Sequence, residues 1–133
     1  MRVSKDRLEE AKRFYKKAVE EYKRAKQEKS DLLFRDAGEK GWNAVVLATN
    51  FMIKEITGKP PKSNRDRREI LREIESQNGE LKRYRFYERF GARAYYLHIN
   101  CFYEGIYAES ELEDNLRKVR SYVRDVEKLT KGG

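Results

Sequence analysis

His98 is the only histidine in the chain, so any acid–base chemistry by an imidazole must use this residue or its copy in another subunit. Its unperturbed pKa places proton transfer within reach of neutral pH. Arg93 stands five positions earlier, in the run Gly91-Ala92-Arg93-Ala94-Tyr95-Tyr96-Leu97-His98-Ile99-Asn100-Cys101-Phe102-Tyr103-Glu104. Its guanidinium supplies a fixed positive charge and a planar fork that fits phosphate. A neutral imidazole with a phosphate clamp beside it suits cleavage of an RNA backbone, where the adjacent 2′-hydroxyl is the nucleophile and no metal is needed. On an ideal α-helix a five-residue step turns about 140° and rises about 7.5 Å. Arg93 and His98 therefore do not share a face unless the long arginine swings round or a second copy of the helix supplies it. The competing reading is a hydrogen-bonded core histidine among aromatics, with Arg93 solvated.

Other constellations are weaker. His98 and Cys101 are three residues apart on a helix and both types bind zinc, but each chain offers only one of each. A di-iron bundle site needs Glu-x-x-His, and Tyr95 occupies the glutamate position. No metal or other cofactor is therefore expected. The aromatics from Tyr84 to Tyr107 interleave with arginines, a pattern that could stack bases but that core and subunit interface also explain. Arg65, Arg67, Arg68 and Arg72 alternate with acids and read as a solvated face. Asn100, Glu39, Lys40, Asn43 and Arg89 are candidates for lining a nucleic-acid cleft, with solvent contact as their alternative role. There is no phosphate-binding P-loop, no dinucleotide fingerprint and no serine in a nucleophile context.

The elements that must position these residues all read as helices. Leu8, Ala11, Tyr15, Ala18, Tyr22 and Ala25 recur at three- and four-residue steps and form one apolar stripe, with Ser4 as N-cap. Ser30 caps a second helix, stopped near Thr57 by Gly58 and Pro60-Pro61. Ala37, Gly41, Ala44 and Ala48 line one of its faces with small side chains, and Trp42, Val45, Val46, Phe51, Met52, Ile53 and Ile56 add bulk. This is the expected core helix. A loop over Pro60–Asn64 leads to a short third helix with Ile70, Leu71 and Ile74 inward, ending before Asn78-Gly79. The fourth helix is expected to run from Glu80 to Tyr107, basic in its first half and apolar nearly all round in its second. Such a surface needs cover on every side, which makes a second subunit the natural partner. Ser110 and Glu113 form a capping box for a fifth helix, whose inward stripe is Leu112, Leu116, Val119, Val123 and Val126. The expected organisation is one helical domain over residues 1–130, with residues 131–133 as a frayed tail.

Composition bounds the partners. The chain has 133 residues, is 41% charged and carries a net charge of +8. That balance favours a polyanion such as RNA, although charge also solubilises. Abundant Lys, Arg and Glu resemble the ion-pair composition of hyperthermophile proteins. The N-terminus lacks the apolar core of a signal peptide and no apolar run would span a bilayer. One cysteine precludes an intramolecular disulfide. A cytoplasmic protein without membrane contact is expected.

Two segments, Ala37-Gly38-Glu39-Lys40-Gly41-Trp42-Asn43-Ala44 and Leu97-His98-Ile99-Asn100-Cys101-Phe102-Tyr103-Glu104, resemble the archaeal PaREP-type family, a branch of the HEPN superfamily. Ribonucleases of that superfamily carry Arg, four to six residues, then His, and Arg93 and His98 match with four between. The resemblance implies an all-α, five-helix up-and-down bundle, homodimerisation through the fourth-helix region, and two such motifs converging in one cleft. It also implies metal-independent RNA cleavage in active members, often in toxin–antitoxin or defence systems, with His98 as general base or acid and Arg93 as phosphate clamp. Active members usually carry a polar residue after the arginine, where this chain has Ala94. The alternative is a non-catalytic interaction module that binds nucleic acid or a partner protein, for example an antitoxin of nucleotidyltransferase type.

Overall fold

A computed structural model describes the backbone of residues 2–131 and the side chains from residue 7 onward. The architecture is all-helical, with no strand among the described residues: α1 (Arg2–Glu28), α2 (Asp31–Thr57), α3 (Asn64–Gln77), α4 (Gly79–Tyr84), α5 (Phe86–Arg93), a π-helical segment (Ala94–Tyr103) and α6 (Glu109–Lys131). No helix among the described residues is long and apolar enough to cross a membrane.

Helices α1 and α2 form a hairpin. Ser30 serves both ends of its turn: its N–H reaches the Ala25 carbonyl at 3.1 Å, and its hydroxyl accepts from Leu33 N–H at 3.2 Å as the N-cap of α2. The small residues Ala11, Ala18 and Ala25 of α1 are fully buried, which lets the two backbones run close. Gly58, at φ 84°, ends α2 in the left-handed region, where a residue without Cβ is unstrained. The first helix is already under way at Arg2, so Ser4 lies inside it rather than capping it.

α2 is the central element. It packs against α1, the π segment and α6. Its small-residue stripe has a measurable purpose. A Cβ on Gly38 would sit 2.8 Å from Cys101 Sγ and 3.3 Å from the Leu97 carbonyl, and one on Gly41 would sit 2.7 Å from a Leu116 methyl. Trp42, Val45, Phe51, Met52 and Ile53 are buried around the stripe, but Ile56 is exposed because it falls beyond the last packed turn.

The expected fourth helix is not continuous. Asn78 ends α3 and caps α4, accepting from the N–H groups of Glu80 and Leu81. Arg85, at φ 57°, then breaks the rod between α4 and α5. From Ala94 the backbone widens to i→i+5 bonding, as in Glu104 N–H to the Ile99 carbonyl at 3.0 Å. The helical run stops at Tyr103, and Gly105 turns the chain at φ 67°. Helix α6 starts at Glu109, with Leu112 N–H on the Ala108 carbonyl, so Ser110 lies within the first turn and is not its cap. Leu112, Leu116, Val119, Val123 and Val126 face inward as expected. Lys131 closes α6, and Gly132 and Gly133 lie outside the described residues.

Candidate acid–base site

The π segment and α2 together build a histidine–carboxylate pair. His98 Nδ1 lies 2.7 Å from Glu39 Oε1. An ionised carboxylate only accepts, so in the neutral ring Nδ1 carries the proton and Nε2 is left as the base. Nε2 has no protein partner among the described residues and is not a buried orphan. The His98 side chain is 24% exposed, so part of the ring reaches solvent. Trp42 lies alongside the ring, nearly parallel at 5.7 Å between centroids, and Tyr103 packs edge-on at 4.9 Å. These contacts fix the plane of the imidazole.

Local sequence explains the placement. Burial in the π segment repeats every four residues: Arg93, Leu97 and Cys101 are inside, while Tyr95, Ile99 and Tyr103 are outside. A wide turn tolerates that period better than a 3.6-residue one. Gly38 lets the segment approach α2 until Glu39 and His98 meet. Arg35 then clamps its far end, donating from Nε to the Phe102 carbonyl and from an Nη to the Tyr103 carbonyl, both at 2.9 Å. Cationic donors at a helix C-terminus satisfy carbonyls that the helix leaves free. Cys101 is sealed beneath, its thiol pushed up to about 12 by burial and donating to the Phe34 carbonyl.

Arg93 faces elsewhere. It is 5% exposed, and its Nε is buried without a partner among the described residues. It lines a groove of about 450 Å³ between α5 and α6, with Arg85, Arg89, Lys118 and Ser121. Burial foremost, then neighbouring Arg89, hold its pKa below the ordinary value, against opposing pulls from Asp114 and Tyr96. No hydrogen bond or ion pair joins Arg93 to His98 among the described residues. A π turn brings residues five apart nearer in rotation than an α turn would, yet within one chain the two side chains serve different neighbours.

The family model of the archaeal PaREP1/PaREP8 family matches residues 4–123. This chain belongs to that family. Comparison with curated proteins and with solved structures gives no significant match. The PaREP1/PaREP8 match spans Glu39, Arg93, His98 and the groove residues Lys118 and Ser121.

The remaining candidates divide between supporting roles and none assigned. Lys40 is tied to Glu21 of α1 at 2.6 Å, so its ammonium is committed to the hairpin. Arg89 donates to the Tyr84 carbonyl and pairs with Asp125, both at 3.0 Å, and lies over the Phe86 and Tyr122 rings. It walls the Arg93 groove rather than the His98 site. Asn43 and Asn100 are half-buried; the Asn100 backbone carbonyl accepts from Ile106 N–H at 2.7 Å and closes the turn after the π segment. Arg35 and Trp42 were not among the expected site residues. Trp42 stood beside the candidates as core, but nothing in the local sequence marks Arg35 as the clamp on two carbonyls far along the chain.

Proposed function

We propose that this PaREP1/PaREP8 protein is a HEPN-superfamily homodimer that binds RNA and cleaves it without a metal. The observation that carries the reading is the Glu39–His98 pair: Nδ1 is held by a carboxylate while Nε2 has no partner among the described residues, on a side chain that is partly exposed. In the proposed step Nε2 takes the proton of a ribose 2′-hydroxyl. The 2′-oxygen attacks the adjacent phosphorus, and the 5′-oxygen of the next nucleotide leaves, taking a proton from water. The products are a 2′,3′-cyclic phosphate and a free 5′-hydroxyl. Arg93 serves as a phosphate clamp. Tyr95, Ile99, Tyr103 and Ile106 remain exposed around the π segment, an apolar face that supports pairing with a second copy. A toxin–antitoxin or defence role, with a nucleotidyltransferase-type antitoxin as partner, belongs to the same reading.

The test is RNA cleavage in EDTA with end-group analysis of the products. Wild type should yield 2′,3′-cyclic phosphate ends, and His98→Ala should lose about 10²–10⁴ in rate. Equal activity in wild type, His98→Ala and Arg93→Ala overturns the enzyme reading. Total absence of cleavage favours a second one, a non-catalytic module that binds nucleic acid or a partner protein. Its supporting observation is that Arg93 and His98 serve separate neighbours within the chain.

A further inference from the structure

We propose that the groove between α5 and α6 is a phosphate-binding site, one per chain, in which the Arg93 guanidinium is the anchor and the Ser121 hydroxyl a second donor. The argument is a balance of charge around one buried cation. Four cations and one acid, Glu88, border the groove. Three have acidic partners of their own: Arg85 with Glu88 at 2.8 Å, Arg89 with Asp125 at 3.0 Å and Lys118 with Asp114 at 3.3 Å. Arg93 has none among the described residues, although it is the most deeply buried of the four.

A desolvated guanidinium without a carboxylate is expensive to keep in a fold, because burial penalises its charge and a partner would relieve the penalty. Here the nearest help is misdirected. Arg89 repels it, and Asp114, the acid that attracts it, is engaged with Lys118. The arrangement becomes favourable once an anion enters. A phosphate oxygen accepts from Arg93 in the fork geometry that guanidinium offers, while Arg85, Arg89 and Lys118 add attraction at longer range. At about 450 Å³ the groove exceeds a lone phosphate and falls within the range of small-molecule sites. The groove leaves room for a phosphate carried on a larger group: a terminal phosphate monoester, as in a mononucleotide, or a phosphodiester in a polynucleotide. The inference rests on the phosphate-clamp role proposed for Arg93 and places that phosphate in this groove, but it does not require that the Glu39–His98 pair cut RNA.

Isothermal titration of the full chain separates the sources, using inorganic phosphate, adenosine 5′-monophosphate and a dinucleoside monophosphate that has only an internal phosphodiester. Binding of the first two alone identifies a monoester site. Comparable binding of the dinucleoside identifies a backbone site. Either result should show one site per chain, weakened by salt. Arg93→Met keeps apolar bulk in the buried position and should weaken binding at least about tenfold, the loss of one charge-assisted anchor. Should that variant fail to fold by circular dichroism, Lys118→Glu decides: this exposed rim change adds a negative charge and releases Asp114 toward Arg93, so affinity should fall several-fold. No binding of any probe at millimolar concentration, or binding that a folded Arg93→Met or Lys118→Glu leaves unchanged, overturns the proposal. Because the readout is binding and not turnover, it fails or holds separately from the cleavage reading.

Discussion

Glu39 Oε1 lies 2.7 Å from His98 Nδ1, joining the central helix α2 to the π-helical segment through the only histidine in the chain. The bond makes a prediction that needs no activity. With Glu39 as acceptor, the neutral ring should exist mainly as the Nδ1–H tautomer. A nitrogen-15 spectrum of the imidazole, read at a pH where the ring is neutral, contains a single residue and is unambiguous. Wild type should show protonated Nδ1, and Glu39→Leu should lose that preference. A wild-type ring protonated on Nε2 would contradict the assignment. In the cleavage assay Glu39→Leu should cost at least about tenfold, less than the loss of the base itself.

The approach of the π segment to α2 is set by a missing side chain. Gly38→Ala places a Cβ 2.8 Å from Cys101 Sγ and 3.3 Å from the Leu97 carbonyl, and a backbone carbonyl does not yield without moving the segment. Overpacking of this kind costs about 1–3 kcal/mol, partly offset by about 1 kcal/mol of improved helix propensity. A net loss of up to about 2 kcal/mol in urea unfolding is expected, with a weakened Glu39–His98 bond. Gly91→Ala is the control. Nothing lies within 4 Å of a Cβ there, so the propensity gain should appear alone, as up to about 1 kcal/mol of added stability. Equal changes in the two variants would show that the close approach is not tight.

The turn between α1 and α2 carries a correctable strain. Lys29 is exposed and sits at φ 52°, while the following Ser30 N–H closes onto the Ala25 carbonyl, six residues spanned in the manner of a Schellman end. A side chain in that conformation costs about 1–2 kcal/mol, and glycine removes the clash while adding unfolded-state entropy. Lys29→Gly should raise stability by about 0.5–1 kcal/mol, measured as a higher urea midpoint with an unchanged slope. Destabilisation would indicate that the Lys29 side chain contributes a contact that matters.

Most of the bundle was legible because helices announce themselves locally. The stripes of α1 and α6 are periodic, and Ser30 and Gly58 mark both ends of α2. The misses share a cause. Arg85 breaks the fourth rod in a conformation usually signalled by glycine, so its identity gives no warning. The π segment repeats its burial every four residues, and a reading at 3.6 sees only an apolar surface. Ser110 looked like a cap because the true start of α6 at Glu109 is set by the Ala108 carbonyl, which has no side-chain signature. Both members of the Glu39–His98 pair were named as candidates, but their meeting depends on how closely two distant segments pack. Their five-residue spacing leaves open whether Arg93 meets His98, and within the chain the tertiary structure places Arg93 in the groove toward α6.

The pair between Lys12 and Glu127, at 2.6 Å, links the first and last helices and gives stability a pH dependence with a definite sign. The hydrogen bond to Lys12 foremost holds the Glu127 carboxyl below its ordinary value, against an opposing desolvation effect. The same bond raises Lys12 above 10.5. A depressed carboxyl stabilises the fold above its unfolded pKa, near 4.3, and loses that contribution as pH falls through the folded value. A raised amine stabilises below its unfolded pKa and loses the contribution as pH climbs through the folded one. The benefit is therefore full between about pH 5 and 10 and fades at both ends. Both side chains are partly solvated, so screening limits it to about 0.5–1 kcal/mol. Glu127→Gln should lower the urea midpoint at pH 7, and the gap from wild type should close as pH drops below about 4. Added salt should narrow the gap at neutral pH as well. A deficit that persists unchanged at pH 3 would assign the effect to packing rather than charge.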